Sequence, residues 1–173
     1  MGAGDQGIAT HLQRWQVIPR VLCFIRVSDE AGDAVLLLRG APTKRIWPNR
    51  LNGVGGHVER DEDVLSAARR EIAEETGLQV DELALRGMVQ IDAGQPAGIL
   101  MFVWTARAAS RAVTASGEGS LEWHPVDRLP AADLVDDLAV LLPKVLAMSP
   151  GAPPFSARYS YDERDQLRIA WAP

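Results

Sequence analysis

The chain has 173 residues, of which 47% are apolar and 24% charged, and its formal net charge at pH 7 is -5. This length predicts one domain with a buried core. The acidic balance argues against a duplex nucleic-acid partner or an anionic membrane surface, but it allows a small polyanionic substrate whose charge a cation offsets.

The first 13 residues are small and polar, and they predict a flexible N-terminus without the apolar segment of a secretory signal. Residues 14–173 are then predicted to form a single domain. No apolar run approaches the roughly 18–20 residues of a membrane span. We therefore expect a cytoplasmic protein with no membrane partner.

Two apolar runs follow, "QVIPRVLCFIRV" at 16–27 and "AVLLLRG" at 34–40. The turn sequence "DEAGD" between them predicts a β-hairpin, whose first strand is buried on both faces. The lone cysteine, Cys23, is predicted to be a buried apolar side chain. The next segment, "APTKRIWPNRLNGVGG" at 41–56, predicts a long loop with a role beyond connection.

The sequence "RDEDVLSAARREIAEETG" at 60–77 is the strongest helix candidate. Asp61 or Asp63 can cap its start, and Gly77 can end it. Strands are predicted at 83–91, 98–108 and 121–126, a second helix at 133–147, and a final hairpin from strands at 157–161 and 166–171. This order predicts an α/β or α+β domain with a mixed sheet between helices.

The segment "REIAEETGL" places three carboxylates, from Glu71, Glu74 and Glu75, on one face of the first helix. Like charges at this spacing repel each other. The preceding "NGVGGHVE" lacks both the dinucleotide fingerprint and the Gly-Lys-Ser/Thr of a P-loop. Carboxylates beside glycine carbonyls form an all-oxygen site, which suits Mg²⁺, with Mn²⁺ possible, and does not suit zinc.

The pattern G-x5-E-x7-R-E-U-x-E-E-x-G-U, with U a bulky apolar residue, is complete from position 56 to 78, and its members are Gly56, Glu62, Arg70, Glu71, Ile72, Glu74, Glu75, Gly77 and Leu78. This segment resembles the Nudix box, and the chain resembles the MutT-like branch of the Nudix hydrolase superfamily. The resemblance implies the Nudix fold, a mixed β-sheet packed between helices with a C-terminal β-hairpin. It also implies hydrolysis of a nucleoside diphosphate linked to another group.

The resemblance also assigns roles. Glu71, Glu74 and Glu75 would bind metal and supply the base, and Arg70 would join them in the catalytic set. Further ligands would be the carbonyl of Gly55 and the carboxylate of Glu118, with Glu122 as the alternative. Arg70 and Glu62 would pair with each other or with the catalytic glutamates to orient them, whereas Gly56, Glu62 and Gly77 belong to the structural part of the box.

The sequence "RLNGVGGHVE" resembles the loop of oxidised-purine nucleoside triphosphatases, in which an Asn before the Gly contacts the base. Asn52 matches that Asn, but Leu51 stands where those enzymes have Trp. Asp136 and Asp137 resemble their purine-binding acids, or they cap the second helix instead. Other candidates for substrate contact are His57, Arg39 and Arg45, each with a structural or surface role as the alternative.

The leading hypothesis is a Mg²⁺-dependent pyrophosphohydrolase that converts nucleoside triphosphates, particularly oxidised purine nucleotides, to nucleoside monophosphate and pyrophosphate. One alternative keeps the chemistry and changes the substrate to ADP-ribose or a nucleotide sugar. Another is a Nudix binding module without catalysis. The expected partner is a small nucleotide, and the chain is expected to be a monomer or homodimer.

Overall fold

The computed structural model describes residues 14–80, 82–114 and 117–172. The segment 1–13, expected to be flexible, lies outside the described residues. The described elements, in chain order, are β1 Gln16–Asp29, β2 Gly32–Gly40, β3 Leu51–Asn52, α1 Val64–Thr76, β4 Leu83–Asp92, β5 Ala97–Arg107, β6 Gly119–Pro125, α2 Leu138–Leu146, β7 Phe155–Tyr161 and β8 Leu167–Trp171.

The eight described strands form one mixed sheet. Its order is β3-β2-β1-β5-β4-β7-β8, and β6 pairs with β2. The β1–β5 and β4–β7 pairs are parallel, and the remaining pairs are antiparallel. The predicted mixed sheet is confirmed, as are the β1–β2 and β7–β8 hairpins.

Strand β1 contributes to two hydrophobic cores because its side chains alternate between the faces of the sheet. Cys23 and Ile25 pack on the side of α1, where Ile72 is also buried. Leu22 and Phe24 pack on the opposite side, against α2. The sheet therefore lies between two helices, and Cys23 is completely buried, as expected.

Helix α1 begins and ends at residues suited to those positions. The Asp63 carboxylate accepts hydrogen bonds from the backbone N–H groups of Leu65 and Ser66, at 2.8 and 3.0 Å. Gly77 has a left-handed φ of 71°, and its N–H donates to the carbonyl of Ala73. Of the two predicted caps, Asp63 is the one that the structure uses.

The second helix is shorter than predicted, since α2 begins at Leu138 instead of Asp133. The preceding backbone pairs with β3: Leu51 N–H donates to the carbonyl of Asp133, and Val135 N–H donates to the carbonyl of Leu51. These bonds hold Leu134 in a parallel bridge with Leu51, so residues 133–135 do not join the helix. Within the described residues, neither helix is long and apolar enough to cross a membrane.

Candidate active site

The glycine loop, residues 53–56, runs antiparallel to the first part of β1. Val21 N–H donates to the carbonyl of Gly56 at 2.9 Å, and Cys23 N–H donates to the carbonyl of Val54 at 2.7 Å. Gly55 lies between these bonds, and its carbonyl accepts no backbone hydrogen bond within the described residues. A Cβ atom at Gly55 would lie 2.2 Å from the carbonyl oxygen of Val21, so only glycine fits this close approach.

Arg70 connects the carboxylates of the motif. Its guanidinium donates to Glu62 at 2.7 and 3.1 Å, and its Nη1 atom lies 3.0 Å from both Glu71 Oε1 and Glu74 Oε2. It also donates to the backbone carbonyl of His57. This geometry matches the orienting role that the sequence predicts for Arg70 and Glu62, although the role itself stays a prediction.

Glu75 anchors the helix to the glycine loop. One of its carboxylate oxygens accepts a 3.0 Å hydrogen bond from Gly55 N–H, and the residue is only 7% exposed. Burial raises the pKa of Glu75 to about 7, with smaller contributions in the same direction from Glu118 and Glu71. The Gly55 N–H and Lys44 oppose that increase. A buried carboxylate in such surroundings gains from a nearby cation.

Glu71 lies directly against the glycine loop. A Cβ atom at Gly56 would lie 2.4 Å from its Oε1, so the second glycine allows the carboxylate to approach the backbone. Burial raises the pKa of Glu71, whereas the Arg70 guanidinium lowers it. In contrast, the Glu74 side chain is 61% exposed and contacts Arg70.

The predicted metal ligands are near one another without forming a complete cluster. Among the described residues, no three His, Cys, Asp or Glu side chains converge closely enough to hold a metal ion. Arg70 Nη1 bridges Glu71 and Glu74 and supplies positive charge there. The atoms available to bind a metal here are carboxylate and carbonyl oxygens, which suit a hard divalent cation. The ligand set stays a prediction.

The two candidate acids after β5 have different partners. Glu118, whose side chain is 53% exposed, forms a 2.6 Å ion pair with Lys44 and lies close enough to raise the pKa of Glu75. Glu122 instead forms a bidentate pair with Arg39, at 2.6 and 3.1 Å. Of the two, Glu118 is the one that the structure brings towards Glu75 and Glu71.

The pairing of β3 with residues 133–135 brings Asn52 close to the two acids before α2, Asp136 and Asp137. Arg50 strengthens this pairing by donating to the backbone carbonyls of Ala132 and Leu134, and it forms a 3.3 Å ion pair with Asp136. The Asn52 Oδ1 atom accepts from Gly53 N–H, which leaves the side-chain NH₂ group free to donate elsewhere.

A cavity of about 140 Å³ lies beside the glycine loop and is lined by both Asn52 and Asp137. Its apolar lining comes from Leu22, Ile91, Ile99 and Met101, together with Trp47. An adjoining cavity of about 340 Å³ extends past Gly55 and Glu75 to Lys44 and Arg45. A pocket with an apolar lining and a few polar groups therefore opens next to the carboxylates, as in many ligand sites.

Asp136 and Asp137 differ in their surroundings. The Asp136 side chain is 88% exposed and lines only the outer part of this region, whereas burial raises the pKa of Asp137. Asp137 occupies the N-cap position of α2, but its side chain makes no capping hydrogen bond. The capping alternative therefore does not account for Asp137.

Two residues that line this region were not singled out as substrate-binding residues from the sequence. Trp47 is 49% exposed, has a left-handed φ of 53°, and lines both cavities. Arg20 also lines both, and its buried Nε has no hydrogen-bond partner among the described residues. The available signal for Trp47 was an aromatic residue in a long loop, the usual location of binding residues.

Arg39 and His57, two of the residues predicted to contact the substrate, make contacts within the protein itself. Arg39 is held by Glu122 and by Asp133, and neither cavity beside the glycine loop includes it in its lining. His57 is exposed and pairs through its backbone with Arg20 of β1. A substrate role for either stays a prediction.

The comparison with protein families agrees with this arrangement. A family model described as NUDIX domain matches residues 17–145, which include the glycine loop and the carboxylate helix. The chain belongs to the Nudix family. It is a Nudix hydrolase, and hydrolases of this family generally use divalent metal ions.

Curated relatives of this Nudix hydrolase include two kinds of enzyme. An oxidized purine nucleoside triphosphate hydrolase of Mus musculus is 28% identical over 132 residues, which cover 76% of this chain and 82% of the relative. An m7GpppN-mRNA hydrolase, NUDT17 of Danio rerio, is 47% identical over 60 residues, but these cover only 34% of this chain and 20% of the relative.

Solved structures support the fold of this Nudix hydrolase. A mutator MutT protein from Bacillus halodurans superposes with a TM-score of 0.73 at 22% identity, covering 91% of this chain and 99% of the other. The NUDIX domain of Shewanella oneidensis NrtR, solved with ADP ribose, gives 0.66 at 15% identity and covers 84% and 97%. The predicted Nudix fold is confirmed.

Proposed function

We propose that this Nudix hydrolase is a Mg²⁺-dependent nucleoside triphosphate pyrophosphohydrolase that prefers oxidised purine nucleotides. The observation that carries the proposal is the shared cavity of Asn52 and Asp137, which opens beside Gly55 and the catalytic glutamates. The amide donates and the carboxylate accepts, so the pair complements a purine edge that offers both an acceptor and a donor. The mouse relative supports this substrate class.

In the proposed reaction, a water oxygen attacks one phosphorus of the triphosphate chain and a phosphoanhydride P–O bond breaks. Pyrophosphate leaves, the nucleoside monophosphate remains, and a carboxylate accepts the proton of the water. Glu71, Glu74 and Glu75 are the candidates for that base. Arg70 holds Glu71 and Glu74 in position, and Lys44 and Arg45 line the cavity where the phosphates would lie.

The residues that would hold Mg²⁺ are the carboxylates of Glu71, Glu74, Glu75 and Glu118 and the carbonyl of Gly55. The bound cation would offset the negative charge of the phosphates and of the glutamates. We expect the Glu75→Gln variant to lose at least about a hundredfold in kcat, because it keeps the shape of the side chain and removes its charge. Unchanged kcat in this variant would remove Glu75 from the mechanism.

The substrate is tested by measuring kcat/KM for 8-oxo-dGTP and dGTP with Mg²⁺, with monophosphate, pyrophosphate and phosphate resolved. We expect a preference of at least about tenfold for 8-oxo-dGTP, the size of one hydrogen bond to a charged group. The Asp137→Asn variant should lose most of this preference. Asp127→Asn, which removes the same charge away from this cavity, is the control.

The same assay includes ADP-ribose, a nucleotide sugar and a capped dinucleotide. The capped dinucleotide is included because of the local similarity to NUDT17. A clear preference for one of these would retain the hydrolase chemistry and reject the oxidised-purine proposal. Absence of hydrolysis of every compound by the wild-type protein would instead favour a binding module without catalysis.

A further inference from the structure

A further cavity, of about 310 Å³, lies on the α2 face of the sheet, at the end away from the glycine loop. Its floor is formed by the last part of β1, the end of β5 and the start of β4, and its wall is formed by Val145, Met148 and the connector at 150–151. Nothing in the proposed hydrolysis uses this cavity.

Three arginines line this cavity because of strand register. Arg26 and Arg107 are direct partners in the parallel β1–β5 ladder, so their side chains project from the same face. Arg86 lies at the β-bulge of β4, between Leu85 and Gly87, and its Nε donates to Thr105 Oγ1 on the same face. Like charges at directly paired positions destabilise a sheet.

The protein itself neutralises little of this charge. Arg86 donates to Thr105 and to the carbonyl of Ser149, both uncharged partners. Within the described part of the chain, Arg26 and Arg107 form no ion pair. Among the described residues that line the cavity, Glu82 is the one acidic residue. Three arginines against one glutamate form a positive site in a chain whose net charge is -5.

This cavity is separate from the candidate active site. Arg26 follows Leu22, which lines the cavity of Asn52, by four residues, or about 13 Å along an extended strand. Phe24 lies between them on the same face and is completely buried in the core beneath α2. A ligand in one cavity therefore does not reach the other through this packed layer.

We propose that this cavity binds a small anion that carries phosphate groups. Guanidinium groups bind phosphate oxygens through paired N–H donors, and two of the three here are free of ion pairs among the described residues. The volume lies in the range of small-molecule sites. Such a ligand offsets the repulsion between the paired arginines, and its source can be either inorganic or a nucleotide.

The test uses the full-length protein in EDTA, so that divalent cations do not support binding at the glutamates. Inorganic pyrophosphate and a nucleoside monophosphate are titrated separately at constant ionic strength, with calorimetry and thermal unfolding as readouts. We expect at least one of them to bind the wild type and raise its Tm by about 2 °C or more at saturation. The probe that binds identifies the source of the phosphate.

The Arg26→Gln/Arg107→Gln variant is expected to raise the Kd at least about tenfold. Its matched control is Arg69→Gln/Arg164→Gln, which removes the same charge from exposed positions outside the cavity and should bind as the wild type does. Failure of both probes to bind the wild type would overturn the proposal, as would equal Kd values for the two variants. Neither result depends on which nucleotide the enzyme hydrolyses.

Discussion

Arg70 offsets part of the repulsion on the acidic face of α1 before any metal binds. It forms ion pairs with Glu71 and Glu74 of that face, and a third with Glu62, which precedes the helix. Glu75 is stabilised differently, by the Gly55 N–H, and burial keeps its pKa near 7. The site therefore holds one arginine-paired group of acids and one buried acid.

Trp47 is the residue for which we expect the clearest effect on substrate binding. Trp47 lines both cavities beside the glycine loop, and an aromatic side chain there is suited to stack on a base. Trp47→Ala should raise KM about tenfold with little change in kcat, because stacking acts on binding and the glutamates are untouched. Steady-state kinetics with the preferred nucleotide checks this.

Trp47→Phe provides the control for that substitution. It keeps an aromatic face and should restore most of the lost affinity. A KM that is unchanged in Trp47→Ala, or one that rises equally in Trp47→Phe, would count against stacking by this side chain.

At the scale of elements, two short connections position the site. The glycine loop pairs with β1 and brings Gly55 to Glu75, and β3 pairs with residues 133–135 and brings Asn52 near Asp137. The cap at Asp63 sets where α1 starts and therefore which helix turn presents the glutamates. The cap is local in the chain, whereas the two pairings join distant segments, and together they determine the geometry of the site.

The start of α1 can be tested by its cap. Asp63→Ala removes the acceptor for two backbone N–H groups and the Ser66 hydroxyl, so Tm should fall by about 2–4 °C. Asp61→Ala removes the same charge two residues earlier and should change Tm much less. Thermal unfolding by circular dichroism measures both, and equal losses would show that general charge, not capping, is responsible.

At the scale of the whole molecule, the sheet presents two separate regions on its α2 face. The cavity lined by Asn52 and Asp137 lies near the start of β1, and the cavity lined by Arg26, Arg86 and Arg107 lies near its end. The core beneath α2 separates them. Arg50 bridges distant chain segments close to the active-site cavity that Asn52 and Asp137 line. Its contacts join the segment before β3 to the segment before α2.

Arg50→Gln tests whether this long-range contact supports the cavity that Asn52 and Asp137 line. We expect KM to rise about fivefold or more, because two carbonyls lose a charged donor and Asp137 is held less firmly, whereas kcat should change little. Asp136→Asn removes only the exposed ion pair and should have a smaller effect. If Asp136→Asn alone reproduces the change in KM, Asp136 acts on the substrate directly.

The amino-acid sequence was sufficient to predict the Nudix fold, the two hairpins and the carboxylate helix, because hydrophobic periodicity, helix caps and the Nudix box are all local patterns. It was insufficient for the start of α2, where pairing with Leu51 overrides helix propensity in residues 133–135. The positions of Trp47 and Arg20 in the cavity lining also depend on tertiary structure. Their side chains meet Asn52 and Asp137 only after the sheet has formed, because contacts between residues distant in the chain leave no periodic pattern in it.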